Sequence, residues 1–232
     1  MIWIGIDDTD IVGSPGTNQL ARAIVRDLQS TADLVRITRH QLLDDPRVPY
    51  TSQNGSASIL LEPHGSLELS EVIDICRHRM MDWYIEGSDP GLCVSDHVPR
   101  ELVDWGRLCQ RDLVHQSMAY ELAESLQIHL EGLGGTRGGV IGALAALGLA
   151  ATEDDGRLVM WQLWPDDLSG PVLVDVVRSR SIHLIERATG ASVVQGQVDV
   201  GKHLRPNMVG GRAVLWVTST GVSDSWQALK VK

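Results

Sequence analysis

Three carboxylates stand close together near the start of the chain. Asp7, Asp8 and Asp10 follow the apolar run at residues 2–6, with one threonine among them. Hard divalent cations such as Mg²⁺ prefer carboxylate oxygens, and proteins usually hold Mg²⁺ with one or two acidic side chains plus phosphates of a ligand. An acidic surface turn would have the same composition. The cluster is therefore a candidate Mg²⁺ site, in which Asp10 is either a further ligand or a base.

A turn and a helix follow these carboxylates. Residues 13–16 read GSPG, a turn signal, and Thr17 stands where it can cap the next helix. That helix is predicted from an apolar stripe with helical spacing, formed by Leu20, Ala21, Ile24 and Leu28. A helix N-terminus offers unpaired N–H groups and the positive end of the helix dipole to a phosphate. We therefore expect Thr17 to lie beside a phosphate.

A second stretch suited to phosphates is the glycine-rich segment 132–142, GLGGTRGGVIG, which leads into a predicted helix at 140–149. Such a loop lets backbone N–H groups approach an anion, and Arg137 adds a cation. The segment lacks GxxxxGK[ST], so it is not a P-loop. The alternative is a flexible loop before a tightly packed Ala/Gly helix. Beside an acidic loop the phosphate interpretation is favoured, and it assigns contacts to Gly134, Gly135, Thr136, Gly138 and Gly139.

A third candidate is the pair Asn54 and Gly55, which lies between strands predicted at 34–38 and 56–61. An NG pair between extended segments usually forms a hairpin turn, here over residues 52–55. Alternatively, its backbone N–H groups approach a nucleotide. Both interpretations stay open.

Composition limits the class of protein. The chain has 232 residues, with 43% hydrophobic and 22% charged residues, as in ordinary globular proteins. Its net charge of −10 argues against a general nucleic-acid binder. Lysine first occurs at Lys202, so any cation that holds phosphates in the preceding part must be arginine. No apolar run reaches transmembrane length, no signal peptide is recognised, and three widely spaced cysteines do not suggest disulfides, so we expect a cytoplasmic protein without a membrane partner.

The pattern of elements predicts an α+β fold. Residues 1–152 are expected to form a mixed sheet with helices packed on it, including helices at 66–83 and 117–126. Residues 153–232 are expected to form a small β-rich domain, with strands at 158–163, 172–177, 192–198 and 213–218 and a short helix at 181–186. The basic stretch 201–212 is either a hairpin or a ligand-binding loop.

Four stretches resemble the tRNA(Ile2) 2-agmatinylcytidine synthetase family and occur in the order found there. They are GIDDTD at 5–10, VPYTSQNGSASILLE at 48–62, DPG at 89–91 and GGTRGGVIGALAALGL at 134–149. The resemblance implies that residues 1–152 form an ATP-binding, kinase-like domain, with Asp7, Asp8 and Asp10 at the Mg²⁺–ATP site. It also implies that Thr17 is the threonine that becomes phosphorylated.

The departures from the family concern the turn and the modules that hold tRNA. Gly16 and Asn18 flank Thr17, where family members usually carry a threonine pair and a cysteine. Full-length members also have an OB-fold and a zinc ribbon, and we find no paired-cysteine zinc pattern here. The resemblance therefore suggests a short member that lacks both modules.

In the family, ATP activates a cytidine of the tRNA anticodon, and agmatine then replaces its carbonyl oxygen. The resemblance therefore implies an Mg²⁺- and ATP-dependent enzyme of the kinase or ligase type. Its acceptor is either tRNA, with a partner supplying RNA binding, or a small molecule phosphorylated by a stand-alone relative. A third interpretation is a nucleotide-binding regulatory module without catalysis.

Overall fold

The computed structural model describes residues 1–48, 54–162, 164 and 166–231, which form two compact units, Met1–Thr152 and Glu153–Lys232. The strands of the first unit are β1 (Ile2–Asp7), β2 (Ala32–Gln41), β3 (Gly55–Pro63), β4 (Gly91–Ser95) and β5 (His129–Gly132). Its helices are α1 (Thr17–Leu28), α2 (Leu69–Asp82), α3 (Arg100–Cys109), α4 (Gln116–Ser125) and α5 (Val140–Ala151).

Strand β1 lies at the centre of the first unit. The strand order is β5–β4–β1–β3–β2, and β1 pairs antiparallel with both neighbours. Ile4 and Ile6 are completely buried. Gly5 points to the opposite face, where it meets α5. Because both faces of β1 are covered, its sequence is a continuous apolar run without alternation.

Helix α5 packs against β1, β3, β4 and α3, and nearly every residue in it is buried. A methyl group added to Gly5 would overlap the carbonyl oxygen of Ala143, and one added to Gly148 would overlap the carbonyl oxygen of Leu102. The small residues of α5 and β1 therefore allow backbone to approach backbone, which fixes the start of α5 beside the end of β1.

The pair Asn54 and Gly55 does not form a tight hairpin turn. Strands β2 and β3 are antiparallel, with Gln41 opposite Gly55, so residues 42–54 connect them. Gly55 is already part of β3. Residues 49–53, which include most of the predicted turn at 52–55, lie outside the described part of the chain.

Within the second unit the strand order is β6–β10–β11–β12–β9–β7, with β8 parallel to β11. Its elements are β6 (Arg157–Trp161), β7 (Pro171–Leu173), α6 (Val174–Arg178), β8 (Ile182–Glu186), β9 (Gln197–Asp199), β10 (Asn207–Val209), β11 (Arg212–Ser219) and β12 (Ser225–Ala228). The predicted α+β class is confirmed.

Two predicted elements of the second unit are wrong. The helix expected at 181–186 is strand β8, in which buried Ile182 and Leu184 alternate with exposed His183. Where a strand was expected at 172–177, strand β7 ends at Leu173 and helix α6 begins at Val174. In both places the apolar segment is so short that it fits the helical period of 3.6 residues as well as the strand period of 2. Contacts with the rest of the unit decide between helix and strand. The strand predicted at 192–198 is limited to β9, and residue 163 of the strand predicted at 158–163 is not described.

The basic stretch 201–212 forms a hairpin. Met208 pairs with Ala213 across Gly210 and Gly211, both of which have positive φ. Arg205 binds both carboxylate oxygens of Asp166, at 2.9 and 2.8 Å. This arginine therefore serves to anchor a loop of its own unit.

Within the described residues, no helix is both long and apolar enough to cross a membrane.

Candidate functional site

A cleft of about 520 Å³ lies in the first unit, where β1 ends and where α1 and α5 begin. Most of the predicted site residues line it: Asp7, Asp8, Asp10, Thr17, Asn54, Gly55, Thr136, Gly138 and Gly139. The acidic loop and the glycine segment are more than a hundred residues apart in the sequence, yet they face one cavity. A cleft of this size is in the range of small-molecule and cofactor sites.

The acidic loop has an unusual backbone at its centre. Asp8 adopts the left-handed conformation with φ of 50°, which is uncommon for a residue other than glycine and is often found at functional sites. The Asp7 carboxylate lies against α5, at the place where a side chain on residue 142 would project. Gly142 therefore makes room for this carboxylate beside the first turn of the helix.

Burial and mutual repulsion disfavour the ionised forms of the two neighbouring aspartates. Burial, then the charge of Asp8 and that of Asp10, raises the pKa of Asp7 to about 7. Burial, then the charges of Asp89 and Asp10, raises the pKa of Asp8 to about 6. A divalent cation would relieve both effects, because it supplies the opposite charge at short range. The donor set therefore fits a hard cation.

The structure gives this cation few protein ligands. Among the described residues, no group of three or more His, Cys, Asp or Glu side chains is arranged to hold a metal ion. Asp10, the third predicted ligand, accepts a hydrogen bond from Thr17 instead. One or two carboxylates are sufficient for Mg²⁺ when phosphates and waters complete its shell. The arrangement therefore suits a metal that arrives together with a phosphorylated ligand.

Thr17 begins α1 but does not cap it, so the predicted capping role is wrong. Gly16 occupies the cap position, and no side chain caps the helix. The Thr17 hydroxyl turns back to the acidic loop, where it donates to Asp10 Oδ1 at 3.0 Å and accepts from Thr9 Oγ1 at 3.1 Å. The N–H groups at the start of α1 consequently have no side-chain cap, and Thr17 lines the cleft.

Asp89 joins the acidic loop to the glycine segment. Its backbone N–H donates to the Asp8 carbonyl at 3.1 Å, and its carbonyl accepts from the Gly139 N–H at 3.0 Å. Its carboxylate accepts from the backbone N–H of Thr136 and, at 2.6 Å, from the Thr136 hydroxyl. In the sequence, Asp89 belongs to the short DPG motif, and the pattern alone indicates no role for it. Its position just before strand β4 was the one sequence feature that could have suggested a role at this edge of the sheet.

The glycine segment closes on Asp89 with its first half. Gly135 has φ of 52°, and a methyl group on it would overlap the Asp89 carboxylate. Gly134 lies against the ring of Tyr84. Neither glycine lines the cleft, whereas Gly138 and Gly139 do. The predicted phosphate contacts of this segment are therefore reduced to its second half and the start of α5.

The structure does not bring Arg137 to the cleft. Its side chain is exposed and passes over Gly132, where an added methyl group would lie 2.5 Å from the Arg137 Cβ. The residue is also in the left-handed region, with φ of 67°. Because the loop turns toward Asp89, the residue that follows Thr136 projects outward.

Asn54 has a structural role, although it is not the hairpin turn that one of the two alternatives predicted. Its amide donates to the Leu43 carbonyl at 2.8 Å, and its own carbonyl accepts from the Leu42 N–H at 3.0 Å. These bonds hold the segment after β2 against the start of β3. Asn54 and Gly55 still line the cleft, so the structural role does not remove them from it.

The cleft also has an apolar lining, which the sequence pattern does not indicate. It is formed by Leu42, Leu43, Val48, Leu113 and Val114. Aliphatic side chains of this kind can cover the faces of a flat organic ring. A cleft with carboxylates, two helix N-termini and an apolar lining suits a molecule that carries both a ring and phosphates.

A second depression, of about 670 Å³, lies between α1 and α2. It is open and lined by charged side chains, among which Arg79 binds both oxygens of Asp27 at 2.6 and 2.8 Å. Because the depression lies open to solvent, which screens these charges, it offers less for ligand chemistry than the cleft.

The fold is of the α+β class, and the residue types in its cleft fit a phosphorylated ligand together with a metal ion. Comparison with known proteins is consistent with this class. No family model matches the chain. A tRNA(Ile2) 2-agmatinylcytidine synthetase TiaS of Archaeoglobus fulgidus is 32% identical over 162 residues, which is 66% of this chain and 36% of the relative. The corresponding synthetase of Caldivirga maquilingensis is 28% identical over 183 residues, which is 76% of this chain and 42% of the relative.

The fold agrees with that of a solved relative. A crystal structure of a TiaS–tRNA(Ile2)–ATP complex has a TM-score of 0.57 and 24% identity, covering 63% of this chain and 36% of that chain. The resemblance predicted from the sequence is confirmed: over about two thirds of its length, this chain is a relative of the tRNA(Ile2) 2-agmatinylcytidine synthetases. The chain spans about two fifths of the length of the curated relatives it matches.

The raised pKa of Asp7 predicts how stability depends on pH. Its pKa is 3.8 in the unfolded reference and about 7 in the folded protein, so the folded state holds the extra proton and stability falls as pH rises between these values. We expect Asp7→Asn, in chelator, to raise the free energy of unfolding at pH 8 by ~1–3 kcal/mol. The gain should shrink as the pH is lowered to 5. Urea denaturation at both pH values measures it.

The matched control is Asp112→Asn, which alters an exposed carboxylate of the same cleft. It should change stability little at either pH. A gain for Asp7→Asn that is equal at pH 5 and pH 8 would contradict the electrostatic explanation.

The hydrogen bonds of Asp89 predict a second effect. Asp89→Ala removes the acceptor for both Thr136 groups, and we expect a loss of ~1–3 kcal/mol with faster amide exchange at residues 134–139. Thr136→Val removes only the hydroxyl bond and should cost about half as much. Hydrogen exchange followed by mass spectrometry checks both variants. If amide exchange at residues 134–139 is unchanged in Asp89→Ala, the carboxylate does not hold this segment in place.

Proposed function

We propose that the chain transfers a phosphoryl group from ATP in an Mg²⁺-dependent reaction at this cleft. The observation that supports the proposal is the shared cavity, in which the aspartates meet the starts of α1 and α5. Carboxylates for a metal and helix N-termini for phosphates are the two parts that phosphoryl transfer needs most. Relationship to an ATP-using synthetase family supports the same reaction.

Each part of the cleft has a proposed role. Asp7 and Asp8 would hold the metal ion, which when bound offsets the negative charge of the phosphates. Gly138, just before α5, would donate its backbone N–H to a phosphate oxygen. Gly139, whose N–H is bonded to the Asp89 carbonyl, would leave room for the phosphate because it carries no side chain. The apolar side chains that line the cleft, such as Leu42 and Val114, would cover the nucleobase. Arg137 has no role in this arrangement, since its side chain lies outside the cleft.

Thr17 is the proposed first acceptor, in line with the family resemblance. Its hydroxyl already donates to Asp10 at 3.0 Å. In the step we propose, Thr17 Oγ1 forms a bond to the γ-phosphorus, and the bond from that phosphorus to the β-phosphate oxygen breaks. ADP leaves with the electron pair, and the hydroxyl proton passes to Asp10. Asp10 therefore acts as the base, as one of its two predicted roles requires.

The final acceptor is proposed separately, because the chain spans only part of its relatives. The family relationship favours the anticodon of an isoleucine tRNA, with agmatine as the second substrate. The net charge of −10 favours a small molecule, or an RNA that a partner holds. A nucleotide-binding module without catalysis would bind ATP with Mg²⁺ and leave it intact.

The metal site predicts the effect of one substitution. We expect Asp8→Asn to reduce ATP consumption and phosphorylation of Thr17 by at least ~100-fold, while the metal-free protein melts at the same or a higher temperature. ADP release and intact-protein mass, measured with ATP and Mg²⁺, test this. Asp112→Asn is the control in the same cleft. Unchanged turnover in Asp8→Asn would contradict the assignment, and binding of ATP without consumption by the wild type would favour the non-catalytic module.

The charge of the chain predicts a result for RNA. We expect this chain alone to cause little retardation of isoleucine tRNA in a native gel at ~150 mM salt, because phosphate contacts require clustered cations. Lowering the salt to ~50 mM should recover only weak binding. Tight retardation with a steep salt dependence would instead identify tRNA as a directly bound acceptor.

A further inference from the structure

The side chain of Thr9 lies inside the acidic loop and is 6% exposed. Its hydroxyl oxygen is 3.1 Å from Thr17 Oγ1, which in turn is 3.0 Å from Asp10 Oδ1. The three groups form a short chain of hydrogen bonds between the loop and the first residue of α1. Thr9 has no place in the metal or phosphate contacts described above.

The direction of these hydrogen bonds follows from the chemistry of the groups. An ionised carboxylate accepts hydrogen bonds and donates none, whereas a hydroxyl has one proton and two lone pairs. The single proton of Thr17 is therefore committed to Asp10. The Thr9 proton must then be the one shared between the two threonines, so Thr17 accepts it with one lone pair. The second lone pair of Thr17 stays available.

We propose that Thr9 is a positioning residue for Thr17, an inference that rests on the proposed phosphorylation of Thr17. The bonds to Thr9 and Asp10 fix the side-chain rotamer of Thr17 and fix which lone pair is free. That lone pair forms the new bond to the γ-phosphorus, while ADP departs with the electrons of the broken bond and the Thr17 proton moves to Asp10. Thr9 itself neither gains nor loses a proton in the step.

This role is distinct from simple packing of a buried threonine. A threonine that only fills space can be replaced by valine, which has the same shape and lacks the hydroxyl. A positioning residue cannot, because the misplacement of a reacting atom by even ~1 Å can cost about 100-fold in rate. Serine keeps the hydroxyl and loses only a methyl group. The pair Thr9→Val and Thr9→Ser therefore separates the two roles.

The experiment measures phosphorylation of Thr17 over time by mass spectrometry, in protein incubated with ATP and Mg²⁺. We expect Thr9→Val to slow the reaction by ~10- to 100-fold, while Thr9→Ser stays within about threefold of the wild type. Affinity for ATP, measured by calorimetry, should change less than about threefold in both variants. In nucleotide-free protein, the ¹³C shift of the Thr17 methyl group should move in Thr9→Val and stay in Thr9→Ser, because it reports the rotamer.

Two results would overturn the inference. One is a Thr9→Val protein that phosphorylates Thr17 at the wild-type rate with an unchanged methyl resonance. The other is a Thr9→Ser protein as slow as Thr9→Val, since the hydroxyl would then be irrelevant. If the wild-type protein consumes no ATP and gains no phosphate on Thr17, the proposed function itself is overturned. This outcome is seen in the wild-type measurement, before either variant is compared.

Discussion

The cleft depends on how closely α5 approaches β1 and the start of β4. At Gly5, and again where Gly91 meets Gly139, no room is left for even a methyl group between the helix backbone and the strands. A side chain at any of these positions would push α5 outward, since buried backbone cannot yield without moving neighbouring elements. Contact at this distance puts the Asp7 carboxylate beside the first turn of the helix. The acidic loop and the helix start are therefore a consequence of packing.

The same contact concentrates negative charge in a partly buried place. Burial and the neighbouring carboxylates both raise the pKa of Asp7 and of Asp8, so the folded protein holds their charges at a cost in stability. The positive ends of two helix dipoles offset only part of this cost, because each acts over little more than one helical turn. Asp8 adds a left-handed backbone. Such features persist where the surrounding structure enforces them, and here α5 and the antiparallel neighbours of β1 do so.

The sequence predicted the parts of this site that depend on local pattern. The apolar run before Asp7 and the small residues of α5 are strong signals, because they extend over whole elements and fit one period. Contacts made by single residues left no such signal. The role of Asp89 arises only because the start of β4 lies between the two loops, and the outward turn of Arg137 follows from that same contact.

The second unit shows the other limit of sequence patterns. Residues 182–186 form a short, apolar segment that suits a helix or a strand. Parallel pairing with β11 makes it a strand. The intrinsic conformational preference of so few residues is small. The favourable free energy of burying Ile182 and Leu184 in the sheet outweighs it. The long elements of the first unit average over many positions, so their prediction is less sensitive to such contacts.

The glycine segment illustrates why a motif and its function need not cover the same residues. Its first half uses its backbone and Thr136 to hold a carboxylate of the protein itself, and its second half opens onto the cleft. An anion is thus already bound where the sequence predicted a phosphate. The bound carboxylate restrains the loop, so Gly138 and Gly139 stand in place before any ligand arrives. A ligand that meets a preformed helix start avoids the entropic cost of ordering a flexible loop. The glycines that do not touch the ligand would then contribute to its binding through rigidity.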